Sequence, residues 1–251
     1  DPTASSFTIE NAGSSGHNIG TNNGEYIAYV FAGGGSTAST AKSVSFDGSN
    51  DSLEISDHSD FDISSGDFTI EFWIKPGSTA NQNNVLVHAH TSGSNYGPCN
   101  FFFNNGVLEL YMSSNNSSFD VVSAGTNGIF GTPARGVWTH VACAREGNNI
   151  RIFMDGELKG TTSYSGSLMN ATSTFFIAQR NNGAYYDGKI SNFRMVKGTA
   201  VYTEAFKVPT EPLSNISGTV LLCCNDSSVT GSTVTPGTIS KTSTPTASTD
   251  S

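Results

Sequence analysis

Residues 42–77, KSVSFDGSNDSLEISDHSDFDISSGDFTIEFWIKPG, restrict the fold more than any other stretch of the chain. Phe68, Ile70, Phe72 and Ile74 alternate there with Thr69, Glu71, Trp73 and Lys75. Successive side chains of a strand point to opposite faces, so this run presents one face made wholly of large apolar groups. The pattern also holds in Val44 and Phe46 and, beyond the turn residues DGSNDS, in Leu53 and Ile55. So broad a Phe/Ile face needs a second sheet over it, which makes an antiparallel two-sheet sandwich, all-β, the expected class.

The remaining strand signals recur at short spacing. They are Asn84–His90, Cys99–Phe103, Val107–Met112, Phe119–Val122, Val137–Arg145, Asn149–Met154, Glu157–Lys159, Thr174–Ala178, Gly188–Val196 and Gly218–Cys224. Asn105-Gly106 and Asp155-Gly156 are tight hairpin turns that require positive φ. Many short strands with turns every ~8–12 residues suit a sandwich or barrel, and no helical period persists beyond a turn or two. The 27 glycines and a charged fraction of only 13% fit strands joined by many turns. A domain over 42–226 follows. Residues 1–41 form an arm with one strand, Glu25–Phe31, and a Gly/Ser/Thr linker from Gly33 to Ala41. Residues 227–251 are a Ser/Thr-rich tail with few apolar side chains, expected to stay extended unless a partner's surface orders it.

A net charge of −9 with only 12 Lys and Arg argues against nucleic acid and against an anionic membrane surface. No run of about 18 apolar residues is present to span a bilayer. The opening DPTASSFTIE lacks the basic and apolar regions of a signal peptide, which suggests a processed product or a piece of a longer chain. Cys99, Cys143, Cys223 and Cys224 show no zinc spacing. They read as small buried hydrophobes, with a Cys99–Cys143 bridge open if their strands lie side by side.

In this order and spacing, FDGSNDSLEIS, DHSDFD, GDFTIEFWIKP, GVWTHVACAR, NNIRIFMDGELKG and YYDGKISNFRMVKGTAVY resemble the laminin-G-like jelly roll of the concanavalin A-like lectin/glucanase superfamily. The flanks GEYIAYVFAGGGSTASTAKSVSFDG and PTEPLSNISGTVLLCCND resemble structural proteins of marine bacteriophages that carry such modules. The resemblance implies a jelly-roll topology, a lectin or structural Ca2+ and carbohydrate binding. It also implies a non-enzymatic virion protein: a head decoration, an appendage or a tail-fibre component. The expected partners are other virion proteins, further copies of the chain and host surface glycans, and the expected location is the virion surface. For a non-viral protein it would be secreted or cell-surface. A free-standing carbohydrate-binding module is the alternative, and a glycoside hydrolase a third.

Glycosidases need two carboxylates about 5–9.5 Å apart, and glucanases of this fold carry them as E-x-D-x-x-E. Glu71 has no companion two residues away, and Asp155 and Glu157 sit at a hairpin tip, so no enzyme is expected. For calcium, the candidates are Asp47 and Asp51, flanking the FDGSND turn, and Asp187 in YYDGKI; Asp before Gly is equally ordinary turn chemistry. For sugar stacking, the candidates are Tyr96, Tyr185 and Tyr186 in polar loops, which read equally as rim packing. Trp138 is expected to fill space between the sheets, with His140 on the same face as a satisfied core residue. His88 and His90 share a strand face without a third metal ligand.

Overall fold

The computed structural model describes residues 42–78, 85–90, 95–180 and 183–250; of Val85 and Leu86 it describes the backbone alone. The arm, with its expected strand Glu25–Phe31, lies outside these residues. Sixteen strands among the described residues form two antiparallel sheets. The first runs β10 (Glu157–Ser163), β9 (Asn149–Met154), β8 (Thr139–Glu146), β3 (Phe68–Pro76), β12 (Asp187–Lys197), β1 (Ser43–Asp47) and β16 (Thr246–Ser248). Beside β12 also lies β13 (Thr219–Cys223), which pairs onward with β14 (Ser232–Val234). The second runs β15 (Ile239–Thr242), β2 (Ser52–Ile55), β11 (Phe175–Ile177), β4 (Val85–Ala89), β5 (Cys99–Asn104), β6 (Val107–Tyr111) and β7 (Ile129–Gly131). This is the expected all-β sandwich of jelly-roll type. Among the described residues no helix is long and apolar enough to cross a membrane.

The alternation in β3 sets the layer. Phe68, Ile70, Phe72 and Ile74 are all fully buried, and Phe72 meets Phe101 of the other sheet edge-on at 5.0 Å. Val44, Phe46, Leu53 and Ile55 join the same core. The turn between them carries the chain from one sheet to the other, with Asp47 Oδ1 accepting from the amides of Ser49 and Asn50 at 2.8 and 3.2 Å. Both Asx-Gly pairs are hairpin turns with the positive φ expected: 50° and 85° at Asn105-Gly106, 51° and 77° at Asp155-Gly156. At Gly156 a Cβ would also collide with the Phe206 carbonyl. In β12 the register against β3 shifts between Ser191 and Arg194. Asn192, at φ 50°, absorbs the extra residue, which leaves Phe193 in the core and Arg194 outside it, paired with Glu71.

Several expectations are corrected. Trp138 precedes β8, is only half-buried, and lies outside the core, its indole N–H reaching Asp250 Oδ1 at 3.4 Å. It shares a sheet face with His140, but that face points away from the other sheet. Phe119–Val122 is not a strand: a lone bridge joins Met112 to Val122, and β7 takes the place beside β6. Cys99 and Cys143 belong to opposite sheets, and all four cysteines are free and buried. The tail is extended, but the surface that orders it is the domain's own. β15 pairs with β2 and β16 with β1, capping one edge of each sheet, so the domain continues to Asp250 rather than ending at 226. Asp250 accepts from Lys75 and Lys189 at 2.8 and 2.7 Å.

Candidate functional site

The outward face of the first sheet holds a closed polar cluster. Glu71, fully buried, accepts from Arg194 Nε and Nη2 at 3.0 and 2.5 Å, from Tyr202 Oη at 2.8 Å, and faces His140 Nε2 at 3.2 Å. Tyr202 and Phe206, stacked at 3.6 Å, lie over it, and the segment is tied down by Thr69 Oγ1 through Thr199 O and the Val201 amide. Burial opposes ionisation of Glu71, but the hydrogen bonds and charges of His140 and Arg194 outweigh it and hold the carboxyl below its usual range. Both carboxylate oxygens of Glu71 are spent on its neighbours beneath the Tyr202–Phe206 cover, so this cluster is architecture. His140 is buried as expected, although beneath a covering segment rather than between the sheets, and only in part satisfied: Nε2 faces Glu71, while Nδ1 has no hydrogen-bond partner among the described residues.

The outward face of the second sheet is different. The register places Phe176, His88, Asn100 and Tyr111 in one row across β11, β4, β5 and β6. Phe102 is the next outward position along β5, and the loop residue Phe119 packs on Tyr111 at 4.9 Å. His88, Asn100, Tyr111, Phe102 and Phe119, together with Asn95 and Arg180, line a pocket of about 240 Å³. His88 and His90 are both buried, with rings stacked 4.3 Å apart. Burial, then the neighbouring His90 and Arg180, drive the His88 pKa down to about 3, against the opposing Asn95 contact. His88 is therefore neutral at physiological pH. Burial and Glu109 push the Tyr111 hydroxyl up to about 12, so it stays protonated and donates to Glu109 Oε2 at 2.5 Å. The result is a concavity with three aromatic rings, two carboxamides, a neutral imidazole and a guanidinium. Such walls can stack on a sugar ring and bond its hydroxyls.

The sequence-derived candidates fall partly around this pocket. Tyr96 packs edge-on against Phe119 at 4.9 Å, at the pocket margin. Tyr185 bridges Gln179 on the turn that carries Arg180. Tyr186 is corrected: it is fully buried, stacked over Phe103, and cannot meet a ligand from solvent. The lining residues His88, Asn95, Asn100, Phe102, Tyr111, Phe119 and Arg180 were not among the candidates. The signal available was CNFFFN, where consecutive Phe101, Phe102 and Phe103 put an aromatic ring on each face of β5.

The calcium candidates do not assemble a cage. Register sets Asp47 opposite Asp187, but Asp51 spends Oδ2 on the Asp47 amide at 3.2 Å and Oδ1 on the Thr244 amide at 2.9 Å. Asp47 Oδ1 closes the turn described above. Among the described residues no three of His, Cys, Asp or Glu gather as metal ligands, so the donor set does not fit a six- to eight-oxygen calcium site.

Comparison with known proteins agrees with this architecture. A laminin-G-type family model, described as Concanavalin A-like lectin/glucanases superfamily, matches residues 47–204. No curated protein matches in sequence. Among solved structures, a Bacteroides ovatus protein proposed to bind carbohydrate is 17% identical, with a TM-score of 0.54 over 84% of this chain and 60% of that one. A heptameric pentraxin of Limulus polyphemus is 17% identical, with a TM-score of 0.45 over 62% and 76% of the two chains. Domains LG4-5 of the mouse laminin α1 chain give 12% identity and 0.48 over 66% and 45%. At these identities the likeness is one of fold.

Proposed function

Because the chain belongs to the concanavalin A-like lectin/glucanase superfamily, we propose that its sandwich binds carbohydrate without cleaving it, in the pocket on the outward face of β4, β5 and β6. The observation that carries this reading is the pocket lining, with Phe102, Tyr111 and Phe119 beside Asn95, Asn100 and a neutral His88. Glu109, the carboxylate bonded to Tyr111, also takes the Asn104 amide at 3.4 Å, and the sequence has no E-x-D-x-x-E to pair with it. Holding rather than hydrolysing is what such a wall can do.

Titration calorimetry against a panel of oligosaccharides tests the reading. A ring that covers on the order of 50 Å² of apolar sugar surface contributes about 1 kcal/mol, or roughly fivefold in Kd. Phe102→Ala and Phe119→Ala should each weaken binding by about that factor with little loss of melting temperature. Binding that neither variant weakens would place the site elsewhere.

The wider role proposed is that of a non-enzymatic virion component, a head decoration, appendage or tail-fibre protein, displaying this module toward host glycans. The resemblance of residues 24–48 and 209–226 to phage structural proteins supports it. Other virion proteins or copies of the chain are the partners in that setting. Mass spectrometry of purified particles tests it; a protein secreted free of particles would instead be a free-standing module.

A further inference from the structure

Resting on the carbohydrate reading, we infer that the pocket selects a sugar bearing a carboxylate, a uronic acid residue, and that Arg180 makes the selection. Arg180 lines the pocket and is half-buried, and among the described residues no carboxylate forms an ion pair with it. In a chain with 21 acidic residues against 12 basic ones, a cation at a pocket wall without a carboxylate partner among the described residues is suited to an anionic ligand. The nearby carboxylate does not fill it, because Glu109 is taken by Tyr111 and Asn104. His88 is no rival cation, since it is neutral. A planar guanidinium presents a fork of donors that matches the two oxygens of a carboxylate.

Two of the lining side chains also carry acceptors without donors. His88 Nε2 and Asn100 Nδ2 both approach Asn95 O at 3.4 Å. A carbonyl only accepts, so Nε2 carries the imidazole proton and Nδ1 is a bare acceptor. Among the described residues His88 Nδ1 and Asn100 Oδ1 have no hydrogen-bond partner, on residues only 2% and 5% exposed. Buried acceptors without a donor are costly, and a sugar hydroxyl is the kind of donor they lack. A neutral sugar supplies the hydroxyls but gives the guanidinium no counter-charge. Sulfate meets the guanidinium but, with no proton to donate, leaves the acceptors bare. A uronic acid offers hydroxyls and a carboxylate within one ring.

The test is calorimetry at low salt with oligomers of glucuronate, galacturonate and mannuronate. Each is measured beside its carboxyl-reduced counterpart and beside a sulfated neutral oligosaccharide. At least one uronate should bind about tenfold or more tightly than its reduced form, a difference that shrinks with added salt. Arg180→Leu should make the two equal by weakening the acid form far more than the neutral one, and Arg180→Lys should keep part of the preference. Equal binding of acid and reduced forms by the wild-type protein overturns the inference while the carbohydrate reading stands. So does a preference confined to the sulfated sugar. No binding of any member, acidic or neutral, overturns both.

Discussion

Replacing Glu71 by alanine would strand Arg194. In the wild-type protein two guanidinium nitrogens reach Glu71 Oε1 at 3.0 and 2.5 Å, with Tyr202 Oη and His140 Nε2 on the other oxygen at 2.8 and 3.2 Å. Glu71 is fully buried and Arg194 nearly so. Removing one partner of a buried pair costs about 3–5 kcal/mol, because the remaining charge loses its compensation. For a domain of this size that lowers Tm by roughly 2–4 °C per kcal/mol. Urea unfolding followed by fluorescence measures it directly, with Trp73, edge-on to His140 at 5.1 Å, as the local reporter. A double variant, Glu71→Leu with Arg194→Met, removes both charges and should recover most of the loss. The pH dependence has a definite sign. The folded pKa of Glu71 lies below its ordinary 4.5, so its contribution is complete above about that pH. It is lost as pH falls through the lower folded value, and the Glu71→Ala protein should lack this part of the acid slope. A single-variant loss under about 1 kcal/mol, or a double variant as unstable as the single, would refute the reasoning.

Deleting residues 236–251 removes β15 and β16 and uncovers the edges of β2 and β1. Exposed edges recruit other strands, so light scattering should show concentration-dependent association; a monodisperse truncated protein would contradict this. Chelation by EDTA should leave Tm unchanged, since Asp51 is spent on two amides. A metal at ~100 times its Kd would contribute about 2.7 kcal/mol, so a clear drop on chelation would restore a calcium site. Burial pushes the Cys99 and Cys143 thiols up, and the Cys224 contact together with burial does the same for Cys223. A thiol reagent should therefore label them only after denaturation, at a rate set by unfolding; rapid labelling of the native protein would contradict the packing.

What the sequence disclosed follows from the range of the forces involved. Period-two alternation is local, so β3 and its buried face could be read residue by residue, and the Asn-Gly and Asp-Gly pairs fixed two hairpins through φ alone. Pairing between distant segments has no local signature. Thr, Ser and Pro in 227–251 gave no hint that β15 and β16 would close the two sheet edges, because backbone hydrogen bonds to β2 and β1 do not depend on side-chain hydrophobicity. Trp138 was assigned to the core on size, whereas its position before β8 puts the ring on the outer face. The pocket was hidden for the same reason. Tyr96 and Tyr185 stood out in polar loops and lie beside it, while Asn100, Phe102 and Tyr111 sat inside ordinary strand patterns. Only the cross-strand register brings Asn100 and Tyr111 into line with His88 and sets Phe102 beside that row, and only the chain's return through Phe119 and Arg180 encloses them.

The central claim, that the outward face of β4, β5 and β6 is the sugar site, is tested most directly by an amide chemical-shift titration with the tightest oligosaccharide. Saturable shifts should concentrate at His88, Asn100, Phe102, Tyr111, Phe119 and Arg180, with the amides of β3 and β8 unmoved. Shifts centred on the Asp47–Asp51 turn and Asp187, or on the Tyr202–Phe206 cover, would contradict it.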